Sequence, residues 1–328
     1  MKILEIKKND EGQRLDKFLS KSVKAMPPSL MYKSIRTKKI KVNRKRAEIG
    51  QILKEGDTVQ LFLPDELFPE SRSDTERFRH ITPAFTVLYE DENLLLCDKP
   101  AGITVHSDDK EEVNTLITQI QAYLFQKGDY RPDDEQSFAP ALCNRIDRNT
   151  GGIVIAAKNA AALRELNELI RERTLTKKYL CAVHGLPKKP TDTLHGYLFK
   201  NSKTNTVTVY SEPRRGAKEI RTRYTVLKNK NGLSLLEVEL LTGRTHQIRA
   251  HMASVGHPLV GDGKYGVNRE DKRDGYKYQA LYSYSLTFHG GTLLRYLDGR
   301  EFRVPRENVY FLSLFDEGRP SDKEDSTR

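Results

Sequence analysis

Two kinds of hydrophobic pattern alternate along the first 68 residues. Between residues 13 and 24, apolar side chains recur every three or four positions, which predicts an amphipathic helix. A second helix is predicted from Pro28, because proline suits the first turn of a helix. Apolar and polar residues then alternate at 40–42 and 59–63, which predicts two short strands. Helix, helix, strand, turn and strand therefore form one small unit.

Beyond this unit the chain reads as a polar linker followed by a long, strand-rich region. Residues 66–82 are polar and charged and contain prolines, as is typical of a linker. Helical spacing recurs at 113–124, after Asn159 and after Thr245, and both of these residues are suitable N-caps. Strands are predicted at 87–89, 94–97, 153–157, 177–185, 219–227, 233–241, 281–288 and 302–304.

Residues 141–158 combine an apolar run, a charged loop, a glycine pair and a second apolar run. The second run is β-branched and short, which predicts a buried strand that presents Asp147 in the loop before it. Arg145 and Arg148 flank Asp147, and nearby positive charge favours its ionised form. Such a carboxylate can act as a base, a nucleophile or a metal ligand. An arginine-paired surface loop without catalytic function is the alternative.

Net charge indicates the class of partner. The formal net charge is +11, of which residues 1–68 carry +7 and the remainder +4. Residues 33–46 hold eight basic side chains and no acidic one. Blocks of one sign repel themselves unless an anion binds, which favours RNA or DNA over a plain solvated face. The candidate nucleic-acid contacts are Lys33, Arg36, Lys38, Lys39, Arg44 and Arg46.

The remaining composition argues against several classes of protein. Cys97, Cys143 and Cys181 lie in or beside apolar runs without Cys-x-x-Cys spacing, which indicates buried thiols in a reducing compartment. No apolar stretch approaches the roughly 18 residues of a membrane span, and the N-terminus does not resemble a signal peptide. We therefore expect a soluble, cytoplasmic monomer without a membrane partner.

The run at 241–266 is rich in groups that could carry chemistry. His246 and Arg249 are three residues apart and share a helical face. Spacings of five and six residues separate His246, His251 and His257, which argues against a zinc site. Residues 261–264, Gly-Asp-Gly-Lys, lack the spacing and the hydroxyl of a phosphate-binding loop. We expect no metal, no nucleotide cofactor and no other cofactor.

Residues 144–152, Asn-Arg-Ile-Asp-Arg-Asn-Thr-Gly-Gly, resemble the catalytic motif of RluA-type pseudouridine synthases. That motif is usually His-Arg-Leu-Asp, two variable residues and Thr-Ser-Gly. Asn144, Ile146 and Gly151 depart from it, whereas the catalytic aspartate matches Asp147.

Further segments extend the resemblance. Residues 98–106 resemble the family's first motif, 177–185 its Lys-x-Tyr-x-Ala-x-Val-x-Gly segment, and 241–266 its third motif. Residues 14–19 and 40–43 are similar to the αL RNA-binding module. The resemblance implies an α+β fold: a mixed, mostly antiparallel β-sheet catalytic domain with flanking helices, preceded by a small α+β RNA-binding module. The expected divisions are a module at 1–68, a linker at 69–82, a catalytic domain at 83–315 and a polar tail at 316–328.

The resemblance also implies an activity and residue roles. Such an enzyme isomerises specific uridines in structured RNA, here large-subunit ribosomal RNA, with Asp147 acting on a flipped uridine. Arg249 is expected to pair with Asp147, Tyr179 to stack on the uracil and assist proton transfer, Arg145 to fill the vacated position and Ile248 to line the pocket. Transfer RNA is an alternative substrate, and a non-catalytic RNA-binding protein is an alternative function. An aspartate-dependent hydrolase or phosphotransferase would need a carboxylate cluster near Asp147, and the sequence shows none.

Overall fold

Two separate β-sheets organise the polypeptide. The computed structural model describes residues 1–68, 75–106, 114–201, 203–266 and 268–316. The helices are α1 (Leu15–Ser22), α2 (Pro28–Arg36), α3 (Thr75–Arg79), α4 (Leu116–Lys127), α5 (Ala160–Arg171), α6 (Gln247–Ser254) and α7 (Asn268–Arg273). The strands are β1 (Lys2–Glu5), β2 (Ile40–Val42), β3 (Lys45–Arg46), β4 (Thr58–Leu61), β5 (Thr86–Glu90), β6 (Leu94–Lys99), β7 (Ala141–Leu142), β8 (Gly151–Ala157), β9 (Leu175–His184), β10 (Thr191–Asn201), β11 (Thr206–Tyr210), β12 (Lys218–Lys230), β13 (Leu233–Leu240), β14 (Leu281–Phe288) and β15 (Glu301–Arg303).

The N-terminal module is a small antiparallel sheet with two helices packed on it. Its strands lie in the order β1-β4-β2-β3. Leu15, Phe18 and Leu19 of α1 and Ile40 of β2 are fully buried in a core of their own. Asn43 and Arg44 have φ of 50° and 63°, as in the two-residue turns that favour a tight hairpin between β2 and β3.

The second sheet contains eleven of the described strands, and its main path runs β11-β10-β12-β13-β9-β14-β8-β6-β5. Only β14 and β8 pair in parallel within the described ranges; the other pairs are antiparallel. Helix α5 packs on one face through Leu166 and Leu169. Helix α4 packs elsewhere on the sheet through Leu116 and Ile120. The predicted α+β class, with a mixed and mostly antiparallel sheet, is confirmed.

The predicted linker is packed over part of its length. Residues 69–74 lie outside the described residues, as does most of the predicted tail, 317–328. Residues 75–79, however, form α3, and Phe78 packs against Phe125 and Tyr130 at ring-centroid distances of 5.9 and 6.3 Å. This part of the predicted linker is therefore helical, because a single buried aromatic anchors an otherwise polar segment.

Polar contacts join the module to the large domain. The Asn9 side chain donates to Glu135 Oε1 at 2.8 Å and accepts from the Ala160 backbone N–H at 3.2 Å, at the start of α5. The Gln13 side chain donates to Ser137 Oγ at 2.8 Å. The module is thereby positioned against the loop before β7 and the start of α5. No helix in the described ranges is long and apolar enough to cross a bilayer.

Candidate active site

Asp147 lies in the loop between β7 and β8, and hydrogen bonds from the Asn144 side chain to the β8 backbone fix the start of that loop. The side-chain oxygen of Asn144 accepts from the Ile155 N–H at 2.7 Å, and its amide nitrogen donates to the Ile153 carbonyl at 3.4 Å. Asn144 therefore satisfies two backbone groups of β8, which holds the first residue of the 144–152 motif against the sheet.

The glycine pair is required by the close approach of β8 and β14. A Cβ on Gly151 would lie 2.3 Å from the ring of Tyr282, whose hydroxyl donates to Asp98 Oδ1 at 2.8 Å. Gly152 has φ of 113°, and a Cβ there would lie 2.1 Å from the Ser283 carbonyl oxygen. The serine usual in the related motif would not fit beside this tyrosine.

Arg249 joins Asp147 to a second, buried carboxylate. Its Nη1 donates to Asp147 Oδ2 at 2.7 Å. Its Nε and Nη2 donate to the two oxygens of Asp262 at 2.7 and 2.8 Å, in the bidentate geometry that orients a guanidinium most strictly. Asp262 is fully buried, whereas a quarter of the Asp147 side chain is exposed. The buried pair therefore forms a rigid support for the exposed carboxylate.

Charge keeps this support ionised. Burial alone would lower the pKa of Arg249, but hydrogen bonds and charge from Asp262 and Asp147 outweigh it and raise that pKa. Burial likewise opposes ionisation of Asp262, yet Arg249 and the backbone N–H groups of Lys264 and Tyr265 hold the pKa of Asp262 below its usual value. Arg249 thus remains a fixed cation beside Asp147 at all physiological pH values.

His246 approaches Asp147 from the start of α6. The predicted cap, Thr245, was wrong: His246 is the residue before the helix, with φ of 54°, and this left-handed backbone starts the helix one residue later. Its Nε2 lies 3.8 Å from Asp147 Oδ2, and its Nδ1 lies 2.8 Å from the Tyr265 hydroxyl.

The Tyr265 hydroxyl links His246 to the strand β11. Burial lowers the pKa of His246, which favours a neutral ring. The Tyr265 hydroxyl accepts from the Val207 N–H at 3.0 Å and shares a hydrogen bond with His246 Nδ1. These contacts fix the ring so that its Nε2 faces Asp147.

Tyr179 and Ile248 form the apolar wall beside Asp147. Both are buried in one apolar cluster, on β9 and α6 respectively. Burial raises the pKa of Tyr179 to about 12; the Asp147 charge acts in the same direction and a hydrogen bond from Ser283 opposes both. Tyr179 is consequently a neutral phenol at neutral pH.

Lys99 supports the loop that carries Asp147. Its fully buried ammonium donates to the carbonyls of Pro100, Ile103 and Arg148 at 2.9 to 3.0 Å. The Gly102 N–H also donates to the Arg148 carbonyl, at 2.9 Å, and the Arg148 Nε donates to the Gly102 carbonyl at 3.1 Å. Burial lowers the pKa of Lys99 to about 8. Lys99 thus links two loops through hydrogen bonds to their carbonyl groups.

These groups surround a cavity of about 1070 Å³. Ordinary ligand pockets span ~300–1,000 Å³, so this cavity is at the upper end of that range. Asp147 is the single carboxylate among the described residues that line it, against nine lysine and arginine side chains. These cations are Arg145, Arg148, Arg171, Arg173, Lys177, Lys200, Arg244, Arg249 and Lys264.

The structure brings five of the predicted site residues to this cavity and leaves six elsewhere. Asp147, Tyr179, Arg249, Arg145 and Ile248 all line it. The other six lie exposed on the N-terminal module and make no side-chain hydrogen bond or ion pair with any described residue. They are Lys33, Arg36, Lys38, Lys39, Arg44 and Arg46.

Three residues that contact the side chains around Asp147 were not predicted from the sequence: Asp262, Tyr265 and Ser283. Asp262 and Tyr265 lie in the glycine-rich 261–266 run, which the sequence placed in the family's third motif without giving either residue a role. An acidic residue between two glycines, shortly after a helix bearing a predicted catalytic arginine, was the available signal. No sequence pattern marks Ser283, because only the pairing of β14 with β9 brings it next to Tyr179, with which it shares a hydrogen bond.

The other two histidines of residues 241–266 have separate hydrogen-bond partners. His251 Nδ1 lies 2.9 Å from Thr222 Oγ1, and His257 Nδ1 lies 3.1 Å from the His184 carbonyl oxygen. No group of three or more His, Cys, Asp or Glu side chains within the described ranges could hold a metal ion.

Comparison with known proteins decides the family. Residues 93–254 match the RNA pseudouridylate synthase family, and residues 13–59 match the S4 domain. The ribosomal large subunit pseudouridine synthase C of Buchnera aphidicola subsp. Baizongia pistaciae is 34% identical over 82% of this chain and 82% of its own length. The chain belongs to the RNA pseudouridylate synthase family. The enzyme is therefore an isomerase, as the sequence resemblance predicts.

A second relative and a solved structure agree with this placement. The ribosomal large subunit pseudouridine synthase C of Salmonella typhi is 31% identical over 89% of this chain and 90% of its own. The solved structure of human RNA Pseudouridylate Synthase Domain Containing 1 covers 71% of this chain and 89% of its own, with a TM-score of 0.55 and 23% identity. At that identity the likeness concerns the fold of this pseudouridine synthase alone.

Proposed function

We propose that this enzyme converts specific uridines of large-subunit ribosomal RNA to pseudouridine, with Asp147 as its catalytic carboxylate. The observation that carries the proposal is the position of Asp147, the one carboxylate among the described lining residues of a cavity that also presents nine cationic side chains, held at 2.7 Å by Arg249. The relatives named for the ribosomal large subunit and the S4 domain favour that RNA target. A ribosomal substrate also favours a cytoplasmic location.

The proposed reaction needs no external reactant. The N1–C1′ bond of the uridine breaks, the uracil turns and a C5–C1′ bond forms, while C5 loses a proton and N1 gains one. A base inside structured RNA is inaccessible, so the nucleotide enters the cavity flipped out of its stack. Asp147 either attacks the sugar or the ring covalently or assists departure through a glycal, and both routes use its ionised form.

The neighbouring groups have complementary roles in this proposal. Arg249 keeps Asp147 charged and oriented, because an opposite charge at hydrogen-bond distance favours the ionised carboxylate. Tyr179, a neutral phenol, stacks on the uracil and can relay a proton after the base has turned. Ile248 closes the apolar wall, and Arg145, exposed at the rim, occupies the position that the flipped base vacates.

The module is proposed to bind RNA away from the reaction. Its exposed basic residues between 33 and 46 form a sequence-independent contact with phosphates, which positions the substrate and adds salt dependence. Transfer RNA would satisfy the same surface and is the alternative substrate.

Pseudouridine mapping in a deletion strain tests the proposal, together with tritium release from uridine-labelled transcripts by the purified enzyme. We expect loss of pseudouridine at one or a few large-subunit ribosomal positions, restored by the wild-type gene. Loss confined to transfer RNA would assign the alternative substrate. Unchanged RNA in both classes, with RNA binding retained, would show a non-catalytic binding protein.

A further inference from the structure

Lys177 is a cavity-lining cation next to the proposed uracil platform. It lies two residues before Tyr179 on β9, and both side chains line the cavity. Residues i and i+2 of a strand point to the same face, about 7 Å apart. Lys177 therefore lies about 7 Å along the strand from Tyr179. This separation is comparable to that between a base and the phosphate of the same nucleotide.

Lys177 lacks an anionic partner within the part of the chain that the structure describes. The adjacent Lys178 points to the other face and pairs with Glu237 at 2.9 Å. Lys177 is half-buried, and burial lowers its pKa to about 8, with only the Cys143 thiol acting in the opposite direction. A desolvated ammonium without a counter-ion is unfavourable, so an anionic ligand at this position would be stabilised.

The elements packed around Lys177 offer no anion. Strand β8 contributes Ile153 and Ile155, and β14 contributes Ser283 and Leu286. The loop before Asp147 contributes Cys143, whose pKa burial raises to about 12, so this thiol is neutral at physiological pH.

Two arginines from the end of α5 line the same end of the cavity. Arg171 is held by Glu168 and Glu172 at 3.1 and 2.9 Å. Arg173, with φ of 59° in the turn before β9, has no side-chain hydrogen bond or ion pair to any described residue. This end of the cavity therefore presents one inner cation, Lys177, and one outer cation, Arg173.

We propose that Lys177 binds the phosphodiester beside the flipped uridine, with Arg173 on the next phosphate outward. This assignment rests on the proposed function, since it presumes an RNA strand that enters the cavity at its target nucleotide. Lys177 holds the backbone while Tyr179 holds the base, so the nucleotide is fixed at both ends before Asp147 acts.

Matched variants of the full-length enzyme test whether Lys177 contributes to RNA affinity. The probe is an RNA oligonucleotide containing a uridine that the wild type converts. Lys177→Met should weaken binding at pH 7 by about tenfold, the usual size for one charged hydrogen bond, and change the saturating single-turnover rate by less than about threefold. Lys178→Met is the control and should leave both unchanged. Unchanged affinity with a reduced saturating rate would overturn the proposal and assign Lys177 to the base.

The pH dependence gives a second, independent readout. Wild-type affinity should fall roughly tenfold between pH 7 and 9, because the unbound ammonium loses its proton near pH 8 and only the charged form binds phosphate. Lys177→Arg should bind as tightly as wild type at pH 7 and show no such fall, since a guanidinium stays charged. Titration of the RNA itself is common to all variants and cancels in the comparison. An equal fall in the arginine variant would contradict the assignment.

A neutral methylphosphonate at the phosphate on either side of the target uridine identifies the contacted group. At one of the two positions it should weaken wild-type binding about as much as Lys177→Met does, and should weaken the methionine variant little further. Additive penalties at both positions would overturn the proposal. Each result that would contradict the role of Lys177 is measured with a wild-type enzyme that still forms pseudouridine. A wild-type enzyme without turnover would refute the proposed function instead.

Discussion

Arg249 has two carboxylate partners, so its removal should have two separable effects. Arg249→Met leaves Asp262 fully buried without its counter-ion, and breaking one side of a buried pair costs about 3–5 kcal/mol. Asp262 keeps backbone N–H donors from Lys264 and Tyr265 at 2.9 and 3.2 Å, which favours the lower end of that range. Asp147 loses its orienting cation, and removal of one electrostatic contact of this kind costs about 10²–10³ in rate.

A second substitution separates stability from catalysis. In the double variant Arg249→Met/Asp262→Asn, the buried charge is gone, so most of the lost free energy of unfolding should return. The rate should not return, because Asp147 still lacks its partner. Denaturant unfolding measures the first effect, and tritium release under single-turnover conditions at saturating RNA measures the second. Arg223→Met, which removes a surface arginine paired with Glu239 at 3.0 Å, is the control for the loss of one cation.

Recovery of the rate in the double variant would refute this reasoning, since it would show that the folding defect alone had reduced activity. A single Arg249→Met variant with wild-type rate would also refute it, and the orienting role would pass to His246 or Arg148.

Three further predictions follow from other contacts. Lys99→Met removes the ammonium donor of the Pro100 and Ile103 carbonyls, so denaturant unfolding should show a loss of about 1–3 kcal/mol for each acceptor left unsatisfied. The single-turnover rate should fall at least tenfold because the link between the two loops is weakened; a normal rate would argue against this role of Lys99. Tyr179→Phe keeps the ring and should retain most RNA affinity, while Tyr179→Ala should lose both affinity and rate, and stopped-flow binding distinguishes them; equal behaviour would argue against stacking. Replacing Arg44 and Arg46 by glutamine should reduce the slope of log affinity against log salt by roughly 0.7–0.9 per lost phosphate contact. An unchanged slope would show that these two residues do not contact the RNA.

The contact between Asp147 and Arg249 could be predicted because both residues lie in compact local motifs. They are 102 residues apart, yet each sits in a run that resembles a motif of one family, and the resemblance implies that the two side chains pair. Asp262 could not be assigned in this way. Its role depends on the turn at 261–266 folding back under α6, a tertiary contact that local spacing does not encode.

Weak burial explains the strands that the sequence analysis missed. The hairpin of β10 and β11 is partly exposed on both faces, so Thr191–Asn201 shows little of the apolar alternation that marks a half-buried strand. The start of α6 was misplaced for a different reason. Thr245 has the residue type of a helix cap, but the left-handed backbone of His246 overrides that preference and turns the ring toward Asp147.

Asp147→Asn tests the central claim most directly. The amide keeps the shape of the side chain but cannot act as base or nucleophile, and Arg249 retains Asp262 as its partner, so the fold and RNA affinity should be preserved within a few-fold. The control is Asp192→Asn, which changes an exposed carboxylate paired with Lys189 outside the cavity. Measured by tritium release from uridine-labelled RNA, the account predicts no turnover above background for Asp147→Asn and a normal rate for Asp192→Asn. Substantial turnover by Asp147→Asn would contradict it.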